Sequence, residues 1–289
     1  MGTVTGRIIE TFAPRPLTGN PVAIFDGTLT DDQAALAAVA TAVAMPTVAI
    51  DRSSRISLSC QYPTGWVADP PTVILAVASY LAEFEDLPGV LHLDGTEYSI
   101  DADAEGQAAV GVPQPTIRHI DLSPEDVTAA LGLEVDQVAP VADHAPVAVA
   151  AGQTTRLIVP VTFLNALAQT AVDTPALREL CVGHGADAVF CYSFDTLTRQ
   201  AAIHGRQVPL QPVHPSASAI GAVDCIATLR SVGALGGNTE LATVEQGDHW
   251  GRPSRMTIDT TSGSSIGGQT HPTGELTLDA VVPDDIILE

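Results

Sequence analysis

The sequence predicts an α+β fold in two similar halves. Strand-like segments outnumber helical ones, which favours a mostly antiparallel sheet over a doubly wound one. Two stretches about half a chain apart each run from a Pro-rich turn into a long apolar helix. They are Tyr62-Pro-Thr-Gly-Trp-Val-Ala-Asp-Pro-Pro71 and Gln211-Pro-Val-His-Pro-Ser-Ala-Ser-Ala-Ile220. At 289 residues and 45% hydrophobic, the chain can bury a core without disulfides.

The second stretch reads as a loop that becomes a helix. Pro212 and Pro215 resist helix, Ser216 or Ser218 can cap, and Ala217 to Val232 is apolar and helix-compatible. Such a start leaves bare backbone N–H groups that attract a carboxylate. In the first stretch Asp69 is placed to cap a helix from about Pro71 to Phe84, and Pro at the first turn loses no hydrogen bond. The pairing suggests a duplicated architecture with a site between the halves.

The remaining elements follow in order. Val4 to Phe12 and Val22 to Phe25 read as strands around the turn-rich Ala13 to Pro21 loop. Thr30-Asp-Asp-Gln33 is a capping box for a helix to about Val43. Met45 to Ile50 and Arg55 to Gln61 are strand-like, and His92 to Val112 is a hairpin turning at Asp94-Gly95. Ser123-Pro-Glu-Asp126 opens a short helix, Val147 to Val161 is a strand, and Thr174 to Gly183 is a helix. Ala188 to Tyr192, Gln200 to His204, Glu240 to Gln246, Ser254 to Thr260 and Glu275 to Leu278 complete the strands. The least patterned stretch, Gln114 to Ile120, divides the chain into residues 1–115 and 116–274, and a return of the final strand near 275–289 to the first half stays open.

Charge and composition exclude several functions. The net charge is −22, from 34 acidic and 12 basic residues, which argues against nucleic acid or an anionic membrane as partner. All the basic residues are Arg, so there is no lysine for a Schiff base, for pyridoxal phosphate attachment or for a phosphate loop. Cys60, Cys181, Cys191 and Cys225 form no Cys-x-x-Cys pair and support no zinc or redox motif. Cys225 reads as core, whereas Cys60 lies in a strand beside the first Pro-rich turn. No N-terminal signal or membrane-length apolar run is visible, so a cytoplasmic location is expected.

Two motifs resemble those of a known family. Pro16-Leu-Thr-Gly-Asn-Pro-Val-Ala-Ile-Phe25 resembles the N-terminal signature of the PhzF-like family, the phenazine-biosynthesis isomerases. Gln246-Gly-Asp-His-Trp-Gly-Arg-Pro-Ser-Arg255 resembles its more specific C-terminal Gly-Arg-Pro-Ser motif, and with Gly267-Gly-Gln269 the likeness runs along nearly the whole chain. The resemblance implies a diaminopimelate epimerase-like fold, with each half a barrel-like sheet around a central helix and the active site in the cleft between them. It implies a homodimer and a cofactor-free isomerase. The reaction moves a proton and a double bond in a small unsaturated carboxylic acid, in antibiotic pathways such as alkylproline formation.

The departures concern the chemistry. The family's catalytic glutamate falls on Pro46, next to Thr47, whose hydroxyl can hydrogen-bond but cannot serve as a base near neutral pH. The histidine at the first helix start becomes Pro70, preceded by Asp69, and the aspartate at the second becomes His214. The candidate catalytic pair is therefore His214 and Asp69, a histidine titrating near pH ~6.5 and a carboxylate. Ser216, Ser218 and free helix N–H groups are candidates to hold a substrate carboxylate, Asn20 and Thr47 to orient it, and Cys60 to line the site. The competing reading is a binding or accessory protein that keeps the fold without catalysis. An open polar cleft favours the enzyme, and a filled one the accessory protein.

Overall fold

The computed structural model describes residues 2–30, 32–53, 55–84, 87–102, 106–138, 147–169, 172–210, 217–235, 239–259 and 264–280. The first half of the chain holds β1 (Gly2–Thr11), β2 (Asn20–Asp26), α1 (Gln33–Val43), β3 (Thr47–Asp51), β4 (Ser57–Gln61), α2 (Pro70–Ala82), β5 (Val90–Leu93), β6 (Thr96–Ala102) and β7 (Ala108–Val112). The second holds β8 (Thr116–His119), α3 (Pro124–Leu131), β9 (Ala148–Ala151), β10 (Thr155–Pro160), α4 (Leu164–Gln169), α5 (Thr174–His184), β11 (Ala188–Ser193), β12 (Ala201–Pro209), α6 (Ala219–Ser231), β13 (Leu241–Gln246), β14 (Ser254–Asp259), β15 (Ser264–Gly267) and β16 (Thr270–Ala280).

These strands form one continuous sheet in the order β16-β1-β2-β3-β4-β5-β6-β7-β15-β14-β13-β12-β11-β10-β9-β8. The succession of pairings occurs twice. From β16 to β7 it runs antiparallel, antiparallel, parallel, antiparallel, parallel, antiparallel, antiparallel. From β8 to β15 it is the same. The two runs join where β7 meets β15. Each parallel pair needs a crossover, and helices supply it. The fold is thus the expected α+β architecture of two similar halves.

In each half the second crossover is the central helix. α2 packs on β1, β2, β5 and β7, and α6 on β9, β10, β11 and β14. Both are apolar on nearly every face, as a helix surrounded by sheet must be. Val73, Ile74, Leu75, Val77 and Leu81 of α2 share one core with Ala222, Val223, Ile226 and Leu229 of α6. A second core lies on the outer face of the later strands, where Val127, Leu131, Leu177 and Cys181 cover Leu157, Val159, Val189 and Cys191. All four cysteines are buried thiols. No helix among the described residues is long and apolar enough to cross a membrane.

Several local readings shift. The first helix is capped by Asp32, whose carboxylate accepts from Ala35 N at 2.8 Å, rather than by Thr30. The Val147 to Val161 strand is a hairpin folded at Gly152. Thr116–His119, inside the stretch read as irregular, pairs with β9, and α4 was not foreseen.

Close approach of α6 to its sheet depends on a missing side chain. Phe190 is fully buried on β11, and a Cβ on Gly221 would lie 2.4 Å from its ring. Gly221→Ala is therefore expected to destabilise the protein by about 1–3 kcal/mol through overpacking. Urea unfolding measures this, and an unchanged midpoint would contradict it.

Candidate active site between two helix starts

The starts of α2 and α6 meet, and Asp69 joins them. It occupies the N-cap position of α2, yet its carboxylate makes no backbone cap there. Instead Oδ2 accepts from Ala219 N at 2.7 Å and from the Thr72 hydroxyl at 3.0 Å, while Oδ1 accepts from Ile220 N at 3.1 Å. The residue read as a cap for its own helix thus satisfies the bare N–H groups of the other. A carboxylate at this position is stabilised both by charge-assisted bonds and by the helix dipole.

Two side-chain amides hold the backbone that leads into α6. Asn20 donates to the Ala217 carbonyl at 2.8 Å and accepts from Ala217 N at 3.0 Å. Gln246 does the same for Ser218, with both distances 3.0 Å. Ser218 then caps α6, its hydroxyl accepting from Gly221 N at 3.0 Å. The two motif stretches also bind each other: Gly19 N donates to the Pro253 carbonyl at 3.0 Å, and Arg252 Nε to the Gly19 carbonyl at 3.1 Å. Arg252 also pairs with Glu10 at 2.7 Å. Both motifs therefore act here as the frame that positions the α6 start.

A small pocket opens onto Asp69, lined also by Asn20, Pro46, Tyr62, Trp66 and Gln207. Its volume is about 10 Å³, room for no more than one water molecule. The buried Tyr62 hydroxyl has no hydrogen-bond partner among the described residues, and burial pushes its phenol well up, keeping the proton on. Behind the pocket lies a buried charge cluster that sequence reasoning missed. Arg156 is fully buried, with Nη1 3.4 Å from Asp224 Oδ2 and Nε donating to Gln207 at 3.0 Å. Its Nη2 has no partner among the described residues. A signal was available for one member: Asp224 interrupts the otherwise apolar run Ala219 to Ile226, and a charge there needs a buried partner.

Two carboxylates share this one guanidinium. Burial raises Asp69, against the pull of the Ala219 N–H and the Arg156 charge. Burial also pushes Asp224 up to about 7, opposed by Arg156 and reinforced by the negative charge of Asp69. Below about pH 7 the cluster thus holds a proton, on Asp224, that an isolated carboxylate would have lost.

The other candidate residues are placed as follows. Thr47 is buried on β3, and its hydroxyl donates to the Met45 carbonyl at 3.2 Å. Cys60 is buried on β4, and burial, with the nearby Asp94 charge, pushes its thiol up. Neither is among the residues lining the pocket. His214 and Ser216 lie outside the described residues.

Comparison with known proteins bears on this arrangement. No protein-family model matches the sequence, and no curated protein matches it. Solved structures do match. A phenazine biosynthesis protein of the PhzF family from Bacillus anthracis superposes with a TM-score of 0.75 at 17% identity, covering 96% of this chain and 99% of that one. The chain has the PhzF-type fold. A predicted epimerase from Pseudomonas aeruginosa matches with a TM-score of 0.75 at 20% identity, over 96% of this chain and 99% of its own. A PhzF-family protein from Enterococcus faecalis matches with a TM-score of 0.72 at 12% identity and the same coverage. Within the PhzF-type fold the site described here joins the two halves, and the diaminopimelate epimerase-like architecture expected from the motifs is the one observed.

The proton held by Asp224 has a measurable consequence. Between the ordinary carboxylate pKa and about 7 the folded state binds a proton that the unfolded chain has released. This contribution to stability is complete at low pH and is lost as pH rises to about 7. Asp224→Asn should therefore flatten the fall in unfolding free energy between roughly pH 4 and 7, the window between those two pKa values. Urea titrations at several pH values test this, and parallel curves for the two proteins would refute it.

Proposed function

We propose that the chain is a cofactor-free isomerase of the PhzF-like family that acts on a small unsaturated carboxylic acid, with Asp69 as a proton carrier. The observation that carries this reading is the position of Asp69: a buried carboxylate, raised in pKa, where both central helices begin and facing the pocket. A raised pKa brings a carboxylate towards the range in which it can both take and return a proton. In the proposed step Asp69 removes a proton from a carbon next to a double bond. The electron pair of that C–H bond becomes the new double bond, the old double bond shifts, and a proton is returned at its far carbon. Composition and oxidation state are unchanged, so no redox partner is required.

Arg156 Nη2 and the Tyr62 hydroxyl, both buried and unpartnered among the described residues, are suited to hold the substrate carboxylate and the charge that develops on it. Binding requires the halves to part, because about 10 Å³ admits no substrate. His214 enters the proposal through its place in the sequence, five residues before Ala219, as the second group able to carry a proton. A secondary-metabolite setting such as alkylproline formation, and a homodimer, belong to the same proposal. The small pocket, together with Pro46 and Pro70 where the family has its glutamate and histidine, favours the alternative, a binding or accessory protein that has kept the fold.

Solvent deuterium separates the two. The protein in D2O is expected to label short β,γ-unsaturated acids, including alkyl-substituted dehydroprolines. Asp69→Asn, if folded by circular dichroism, should slow labelling by about 10²–10⁴, as should His214→Asn. Normal labelling by Asp69→Asn would remove Asp69 from this role, and acids that bind to the wild-type protein without labelling would favour the accessory reading. Thr47→Val should label almost as fast as wild type, since its hydroxyl is engaged by Met45; loss of labelling with binding intact would show otherwise.

A further inference from the structure

A second and much larger pocket, of about 720 Å³, lies on the outer face of the later strands. Its walls include Phe163, Leu164, Ala168 and Leu197, and its floor includes His204. Phe163 is 62% exposed and Leu197 53%, so two large apolar side chains stand at its rim. The volume is that of a small-molecule site.

The walls are anchored from several sides. Asp195 Oδ2 accepts from Leu164 N at 3.1 Å, which satisfies the start of α4. Arg206 donates to the Leu167 carbonyl, and to that of Ala168 at 3.4 Å, at its end. Glu245 fixes the loop carrying Leu197, accepting from Leu197 N at 2.8 Å, Thr198 N at 3.0 Å and the Thr198 hydroxyl at 2.7 Å. Burial alone would raise Glu245, but these bonds, the one from His204 and the Arg255 charge hold it at about 2. It is therefore an ionised acceptor.

His204 is completely buried, and its Nδ1 lies 3.4 Å from Glu245 Oε2. Glu245 can only accept, so Nδ1 carries the hydrogen; a neutral ring then presents Nε2 as a bare lone pair. Nε2 has no partner among the described residues, and with Nδ1 engaged by Glu245 it belongs to the ring edge left for the pocket. The other polar groups at the pocket are already engaged. Asp248 is bonded to Arg255 at 3.0 and 3.1 Å, Asp195 to α4, and burial, with the Arg206 charge, lowers His249 to about 4, which leaves it neutral. Carboxylates at the rim and a net charge of −22 disfavour anions.

We propose that this pocket is a second binding site, for an uncharged, mainly apolar molecule whose single O–H or N–H donates to His204 Nε2. A buried acceptor left unpaired is costly, so a ligand that supplies the donor is selected over one that does not. The probe is 2-naphthol, compared with 2-methoxynaphthalene, which lacks the donor, and 2-naphthoate, which is anionic. 2-Naphthol is expected to bind, to move the His204 Nε2 resonance in ¹⁵N spectra of the whole protein, and to bind roughly tenfold or more tightly than either analogue. His204→Phe should abolish the preference for naphthol over its ether. Because that variant removes one of the partners of the buried Glu245, Ala168→Trp provides a second test: it fills the pocket from an exposed helix position and should block binding. Equal affinity for naphthol and ether, an Nε2 that already carries hydrogen in the free protein, or binding unchanged by Ala168→Trp would each overturn the proposal.

Discussion

Asp69 begins one central helix and satisfies the start of the other. The partners are 150 and 151 residues apart in sequence, yet the two N–H groups they supply are fully enclosed. Each would cost about 1–3 kcal/mol if left unpaired in the interior. The rest of the centre follows from this contact. Two helices can abut at their positive ends only if something negative lies between them. In this chain a carboxylate of the protein itself occupies that place. The same placement that holds the helices together also positions a carboxylate where chemistry on an acid could occur.

The interior carries more charge than its apolar composition suggests. Arg156, Asp224 and Asp69 form a buried group with two negative members and one positive one. An isolated buried ion would be untenable, and a balanced pair would be mainly structural. Two carboxylates against one guanidinium are neither, because the group resolves its imbalance by holding a proton. The unpartnered Nη2 of Arg156 adds a second unmet demand within the same few ångströms.

Much of this was legible in the sequence. The two Pro-gated helices are each bounded by residues that can only begin a helix, and their apolar faces admit only a buried position. The two motif stretches were legible as well, although their role is to grip each other and the α6 start through Asn20, Gln246, Gly19 and Arg252. What was hidden is long-range. Nothing local to Asp69 distinguishes a cap on its own helix from a cap on another. Thr116–His119 was missed because its side chains are mostly exposed and lack an apolar face, and Leu164–Gln169 because six residues are too few to establish a helix without tertiary support.

The pairing of β16 with β1 couples the two ends of the described chain over Gly2 to Ala280. The strands from β8 to β15 occupy one uninterrupted span of sequence, whereas the run that begins at β16 cannot close until the last of its strands has been synthesised. During translation the later half can complete its hydrogen-bonded ladder while the earlier one still has β1 as an open edge. An exposed edge strand invites pairing with other chains. Order of assembly is thus written into the connectivity: β1 is among the last strands to gain its second neighbour, and the Arg252–Gly19 and Asn20–Ala217 contacts can form only after the later half has emerged.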